Sequence, residues 1–259
     1  MSTSDNNIDL VGKKVFFLYP TVSVQNRVVT ELIQQEYEVY VAKNKEKLKK
    51  VLSKHPDSIV FIDVNEQMSE GEWDIWITGI MEAPDMKGVS IGVVTSNDDE
   101  QVMRKFLLAL KIPCGYTVLS HDTEKALTQI MGALQSANAK GRRKYIRAVL
   151  ERGETSSTVN LPVNGNFVNG IIRDISVVGI SCTLDGDPEI PKNTLFKNIQ
   201  IRLQTNLLKV EGILFGTRTE GVNTIYVILF TQRINPEVRT KIRTYIQHTL
   251  QQRMNPDLE

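Results

Sequence analysis

Near residue 140 the hydrophobic period of this chain changes. Before that point strand-length apolar runs alternate with helix-length amphipathic stretches; after it, short strand patterns follow one another without helices between them. One chain carrying two periods in sequence predicts two domains of different class, and 259 residues are enough for both. The apolar fraction of 41% can fill two cores and excludes disordered and coiled-coil classes. No apolar run approaches the roughly 18 residues of a spanning helix, and the first ten residues lack a signal peptide's basic start and apolar core. The chain is therefore expected to be cytoplasmic, with no membrane insertion.

The first part reads as five strand–helix units. Lys14–Tyr19, Glu38–Ala42, Ser58–Val64, Val89–Thr95 and Gly115–Leu119 are strand candidates. The stretches 21–36, 44–54, 68–83, 98–110 and 123–137 carry apolar residues at helical spacing, and Asn44 is placed to cap the second. Ser58–Val64 is an uninterrupted apolar run closed by polar residues, as a strand buried on both faces requires. The expectation is an α/β domain over residues 1–137, a five-stranded parallel sheet with helices on both faces.

Residues 138–147 read as a linker. From there the strand patterns are Tyr145–Glu151, Ser157–Val163, Phe167–Asp174, Gly179–Leu184, Ile199–Leu203, Leu207–Thr217 and Thr224–Phe230. Asn164-Gly165, Asp185-Gly186 and Glu220-Gly221 mark turns between them. Six or seven short strands at this spacing predict an all-β antiparallel barrel or sandwich, followed by an amphipathic C-terminal helix from Pro236 to about Arg253 that is expected to pack on it, with dimerisation as the alternative.

Charge divides at the same boundary. Residues 1–140 hold 13 Lys and 2 Arg against 19 acids, a net of −4, and residues 141–259 hold 5 Lys and 11 Arg against 11 acids, a net of +5. An arginine-rich domain points to an anionic ligand, because the guanidinium fork grips phosphates and stacks on rings; unrelated surface drift between two domains is the competing explanation.

Two short motifs carry the functional signal. One is Arg143-Lys-Tyr-Ile-Arg147, preceded by Arg142; the other is Asp174-Ile-Ser176-Val-Val-Gly179, at a turn between two strands. Alone, the first would be a solvated basic segment and the second an Asx-type turn with a glycine bulge. Together, with 26 residues between Arg147 and Asp174, they match R-x-x-x-R followed by D/N-x-S-x-x-G. Residues 141–259 therefore resemble the PilZ domain, a bacterial receptor for cyclic di-GMP. The resemblance implies that Arg142, Arg143, Arg147, Asp174, Ser176 and Gly179 form the binding site. Arginines would bridge the two phosphates or stack on guanine, and Asp174 would accept from guanine N1–H and N2–H₂. Ser176 would add a hydroxyl contact, and Gly179 a turn or a close backbone approach. Arg142, directly before the first motif arginine, implies two ligand molecules per site. In the same way the first domain, over residues 12–137, resembles the receiver domain of response regulators. Asp63 ends the third strand and Thr95 the fourth, but Leu18-Tyr-Pro20 stands where a receiver keeps its metal-holding acidic pair, and Leu119-Ser-His121 where it keeps a lysine. It is expected to be non-phosphorylatable and used for contacts.

No P-loop, nucleophile elbow or paired metal-binding carboxylates appear, and neither G-G-D-E-F nor E-A-L is present, so the chain reads as a receptor and not an enzyme, without cofactor or metal. His55, His121 and His248 lack ligand spacing, Cys114 and Cys182 fall in different domains, and Trp73, Trp76 and Cys182 read as core. Two-domain proteins of this kind resemble spirochaetal PilZ proteins, which implies control of motility. The function expected is a cyclic di-GMP effector that changes its interdomain arrangement on binding and signals to a protein partner. A ligand-free protein-docking module is the alternative, and a nucleic-acid-binding protein the second; few aromatics are available as stacking platforms for the latter.

Overall fold

In a computed structural model, residues 11–65, 67–119, 123–150 and 157–258 are described. The chain divides into two compact units, residues 1–144 with 250–259, and residues 145–249.

The first unit is built on strands β1 (Val15–Leu18), β2 (Val39–Ala42), β3 (Ile59–Asp63), β4 (Ser90–Thr95) and β5 (Tyr116–Val118). All four pairings are parallel, in the order β2-β1-β3-β4-β5, so the expected five-stranded parallel sheet is present. Side chains alternate across it: Phe16 and Leu18 enter one core, Val15 and Phe17 the other. Helices cover both faces, which keeps β3 buried along its whole length.

Local chemistry sets the helix starts. Asn44 Oδ1 accepts from the N–H groups of Glu46 and Lys47, opening α2 (Lys45–Lys54). Ser69 and Glu72 form a reciprocal capping box at the start of α3 (Glu70–Met81). Asp99 caps α4, whose α-helical turn Glu100–Arg104 loosens into a π-helical turn Lys105–Ala109. Helix α1 has a similar insertion, Gln25–Val29, between Val22–Val24 and Thr30–Gln34. Helix α5 spans Thr123–Ser136. Trp73 and Trp76 of α3 are buried edge to face, 5.9 Å between centroids, in the core where the sequence placed them.

The last residues of helix α6 (Pro236–Leu258) also belong to this unit. The helix runs past the expected end at Arg253. Leu258 is fully buried in the sheet's core, with Leu250 and Met254 packed against it. Gln251 does for edge strand β2 what a neighbouring strand would do: its Oε1 accepts from the Val41 N–H at 2.9 Å and its Nε2 donates to the Val41 carbonyl at 3.0 Å. The sequence leads one to expect this helix on the barrel; from Leu250 onward it belongs to the first unit instead.

The second unit is the expected antiparallel barrel. Its strands are β6 (Ala148–Val149), β7 (Ser157–Val163), β8 (Asn166–Ser176), β9 (Gly179–Leu184), β10 (Leu195–Leu203), β11 (Asn206–Glu220) and β12 (Asn223–Phe230). The order β8-β7-β10-β11-β12-β9 closes on itself through a β8–β9 pairing, and β6 is added to β8. Asn164-Gly165 joins β7 to β8 with both residues at positive φ, the geometry a two-residue hairpin requires. The strand expected over 145–151 is reduced to Ala148–Val149, because β8 offers it pairing partners only at Asp174 and Ile175; residue 151 lies outside the described residues. Ile242 and Ile246 of α6 are buried, and Tyr245 shares a 2.6 Å hydrogen bond with Ser157 Oγ.

Replacing Gln251 by Ala removes both edge hydrogen bonds and is expected to destabilise the first unit by about 1–2 kcal/mol. Both tryptophans lie in this unit, so urea unfolding followed by Trp fluorescence reports on it alone.

Candidate functional site

Strand β8 changes neighbours halfway along its length. Residues Asn166–Ile171 pair with β7, and beyond them Asp174 and Ile175 pair with β6. Along its other edge β9 pairs from Gly170 to Ser176, and the register jumps from Ile172↔Cys182 to Asp174↔Ser181. Arg173 is the extra residue of this β-bulge. Ile172 and Ile175, three apart, are both in the core, and the inserted residue moves Asp174 from the inner to the outer side of the barrel.

There Asp174, 16% exposed, meets two partners. Arg147, in the segment leading into β6, places Nη1 3.6 Å from Oδ1, and its side chain is 44% exposed. The hydroxyl of Ser181 donates to Oδ2 in a short hydrogen bond. The β6 backbone fixes the approach: Val149 pairs with Asp174, and the Leu150 N–H donates to the Arg173 carbonyl at 2.7 Å.

The second motif is the hairpin itself. Ser176 pairs with Gly179 across a two-residue turn, Val177-Val178. Neither turn residue has positive φ, so the mirror-image turn usual in such hairpins is absent. The Ser176 hydroxyl stands in for it, donating to the Gly179 carbonyl at 3.3 Å and accepting from the Val178 N–H at 3.4 Å. Ser176 is buried. Gly179 is required by close packing between strands: a Cβ there would lie 2.4 Å from the carbonyl oxygen of Ile228 on β12.

Of the six residues singled out in the sequence, Arg147 and Asp174 are in direct contact, while Ser176 and Gly179 are brought together in the adjoining turn. Arg142 and Arg143 are exposed and counted with the first unit. Ser181 and the Arg173 bulge were not singled out. The bulge had a signal in the three-residue spacing of Ile172 and Ile175; Ser181 had none, since its importance comes from being opposite Asp174.

In the first unit Asp63 stands at the C-terminal end of β3, 4% exposed. This is beside the point where strand order reverses from β1 to β3, the usual ligand crevice of such sheets. Its carboxylate is already engaged. Oδ1 accepts from the N–H and side-chain amide of Asn65 at 3.2 and 2.5 Å, and Oδ2 from the Thr21 N–H at 3.4 Å. Asn65 Oδ1 in turn accepts from Thr95 Oγ1 at 2.7 Å and from the Ser96 N–H and hydroxyl.

Elsewhere on the barrel a concavity of about 480 Å³ is lined by Asp187, Pro188, Glu189, Thr217 and Tyr226, among others. Both oxygens of Asp187 already accept, from Thr224 and Tyr226. Burial pushes the Cys114 thiol up to about 11, and burial with the nearby Asp174 charge pushes Cys182 up to about 12, so neither is a thiolate near neutrality. Among the described residues, no group of three or more His, Cys, Asp or Glu could hold a metal ion, and no helix is long and apolar enough to cross a membrane. His121 lies outside the described residues.

No family model matches the chain, and no curated protein matches it. Solved structures do. One is the PilZ domain of YcgR from Escherichia coli with c-di-GMP, at 14% identity over 44% of this chain and 96% of that one, with a TM-score of 0.38. The Bacillus subtilis inhibitor of motility MotI/DgrA aligns at 15% identity over 44% of this chain and 52% of that one, TM-score 0.37. PlzA of Borreliella burgdorferi with c-di-GMP aligns at 16% over 49% and 50%, TM-score 0.30. The chain thus spans about half the length of the latter two.

Substitution of Gly179 by Ala is expected to destabilise the barrel by about 1–3 kcal/mol, since a backbone carbonyl must yield to the added methyl. Scanning calorimetry of the variant beside the wild type measures it.

Proposed function

We propose that the second unit is a cyclic di-GMP receptor and that the chain is an effector, not an enzyme. The observation that supports this reading is the pairing of Arg147 with Asp174: 26 residues separate them in sequence, yet their side chains lie 3.6 Å apart on the barrel. A ligand with two phosphates and two guanines needs both kinds of group within one molecule's reach. The guanidinium of Arg147, with those of Arg142 and Arg143 from the exposed segment before it, binds phosphate oxygens in bidentate fashion and stacks on purine faces. Asp174 accepts from guanine N1–H and N2–H₂. Ser176 holds the turn through its hydroxyl and keeps one lone pair for a ligand donor. Gly179 lets that turn close against β12.

The arginine segment spans the boundary of the two units in sequence, Arg142 and Arg143 before it and Arg147 after it. Ligand binding orders it and changes the arrangement of the units, and the altered surface is read by a protein partner, with motility as the process controlled. Small-angle scattering profiles that superpose with and without saturating ligand would remove this step. The first unit serves as a contact domain. Its Asp63 accepts from Thr21 and twice from Asn65, and among the described residues no acidic group joins it in a cluster able to hold a divalent cation. Incubation with acetyl phosphate and Mg²⁺ is therefore expected to leave the mass of the protein unchanged, and a gain of one phosphoryl group would overturn it.

Isothermal titration of cyclic di-GMP into the full chain tests the central reading. Heat of binding with two ligands per chain is expected, and Arg143→Ala and Asp174→Ala are each expected to weaken binding by about tenfold or more, some 1.4 kcal/mol. No heat from the wild type would leave the barrel as a docking module.

A further inference from the structure

The Asp174 carboxylate is held by two groups of different character. Arg147 approaches Oδ1 at 3.6 Å, longer than a hydrogen bond, from a side chain nearly half exposed. Ser181 grips Oδ2 from the opposing position of the next strand and is only 2% exposed. Its backbone is fixed from both sides, paired to Asp174 on β8 and to Val227 on β12. One partner can leave by rotating into solvent, while the other is a short, buried side chain on a backbone paired on both edges.

We propose that Ser181, which lies outside both motifs, is the positioning residue for Asp174: it keeps the carboxylate aimed outward when Arg147 exchanges that carboxylate for a ligand phosphate. The proposal rests on the reading of this site as a cyclic di-GMP receptor. A carboxylate reads the guanine edge through both oxygens at once, accepting N1–H on one and N2–H₂ on the other, so the plane of the carboxylate must be fixed for the two bonds to form together. Asp174 has two side-chain torsions, and its outer position follows from a bulge whose extra residue, Arg173, has no partner on β9. Once Arg147 turns to the ligand, Ser181 is the contact that holds those torsions. A hydroxyl suits the task because it donates one hydrogen and leaves the carboxylate charged, with lone pairs on both oxygens still free to accept.

A merely structural serine and a positioning serine differ in what their loss does to base selectivity. The measurement is titration of the full chain with cyclic di-GMP and with its hypoxanthine analogue, which lacks the exocyclic amine. The wild type is expected to prefer the guanine ligand. Ser181→Ala is expected to lose about tenfold of that preference, the value of one hydrogen bond to a charged group, while its affinity for the analogue stays close to the wild type's. Ser181→Thr, which keeps the hydroxyl, is expected to retain the preference. Ser181→Cys keeps the size with a weak donor and answers the same question if the alanine variant fails to fold. Wild-type selectivity in the Ala or Cys variant would overturn the positioning role while leaving the receptor reading intact. A wild type that binds neither ligand would overturn the receptor reading itself.

Discussion

Closure of the barrel between β8 and β9 is the constraint on which the second unit depends. That one pairing removes both edges of a six-stranded sheet, sets Ser176 opposite Gly179 in the turn, and sets Asp174 opposite Ser181 on the outer wall. It does so only because β8 carries an extra residue. With strict alternation Asp174 would follow Ile172 into the core, where an ionised carboxylate costs several kcal/mol. The bulge at Arg173 turns it outward and leaves Ile175 to fill the core in its place. The same irregularity explains why β6 is so short, since it finds β8 only where β7 has ended.

The first unit solves a related problem differently. A carboxylate at the end of a buried central strand needs donors, and Asp63 finds them in Thr21 and in the backbone and side chain of Asn65. Asn65 is then anchored by Thr95 and Ser96 at the end of the next strand. Polar groups from three strand ends form one connected network around a 4% exposed acid. At the other edge of the sheet, β2 is closed by a side chain 210 residues away in sequence.

What the sequence made legible and what it hid divide along physical lines. Features set by neighbours in sequence were readable: the apolar run of β3, the Asn44 cap, the Asn-Gly hairpin at positive φ, the change of period near residue 140. Features set by partners distant in the chain were not. Gln251 looks like any exposed helical glutamine until β2 is beside it, and Ser181 like any strand serine until Asp174 faces it. The π-helical turns in α1 and α4 were not legible in the helical spacing, because each spans only five residues. The motif serine is a further case: its hydrogen bonds within the Val177-Val178 turn depend on how the two strands meet, which the pattern alone does not show.

The energetic character of the Arg147–Asp174 contact fits a site that must open. An ion pair this exposed, at 3.6 Å, contributes no more than about 1 kcal/mol, because water screens it and two side chains are ordered to make it. A bidentate guanidinium–phosphate contact is stronger than that, so a phosphate ligand can take Arg147 away at little cost. Removing Arg147 from Asp174 would strand the carboxylate if nothing else held it. On the proposed reading, the Ser181 hydrogen bond to Oδ2 remains when Arg147 leaves Oδ1. Two partners of unequal strength on one carboxylate thus let the cation move while the acceptor stays in place.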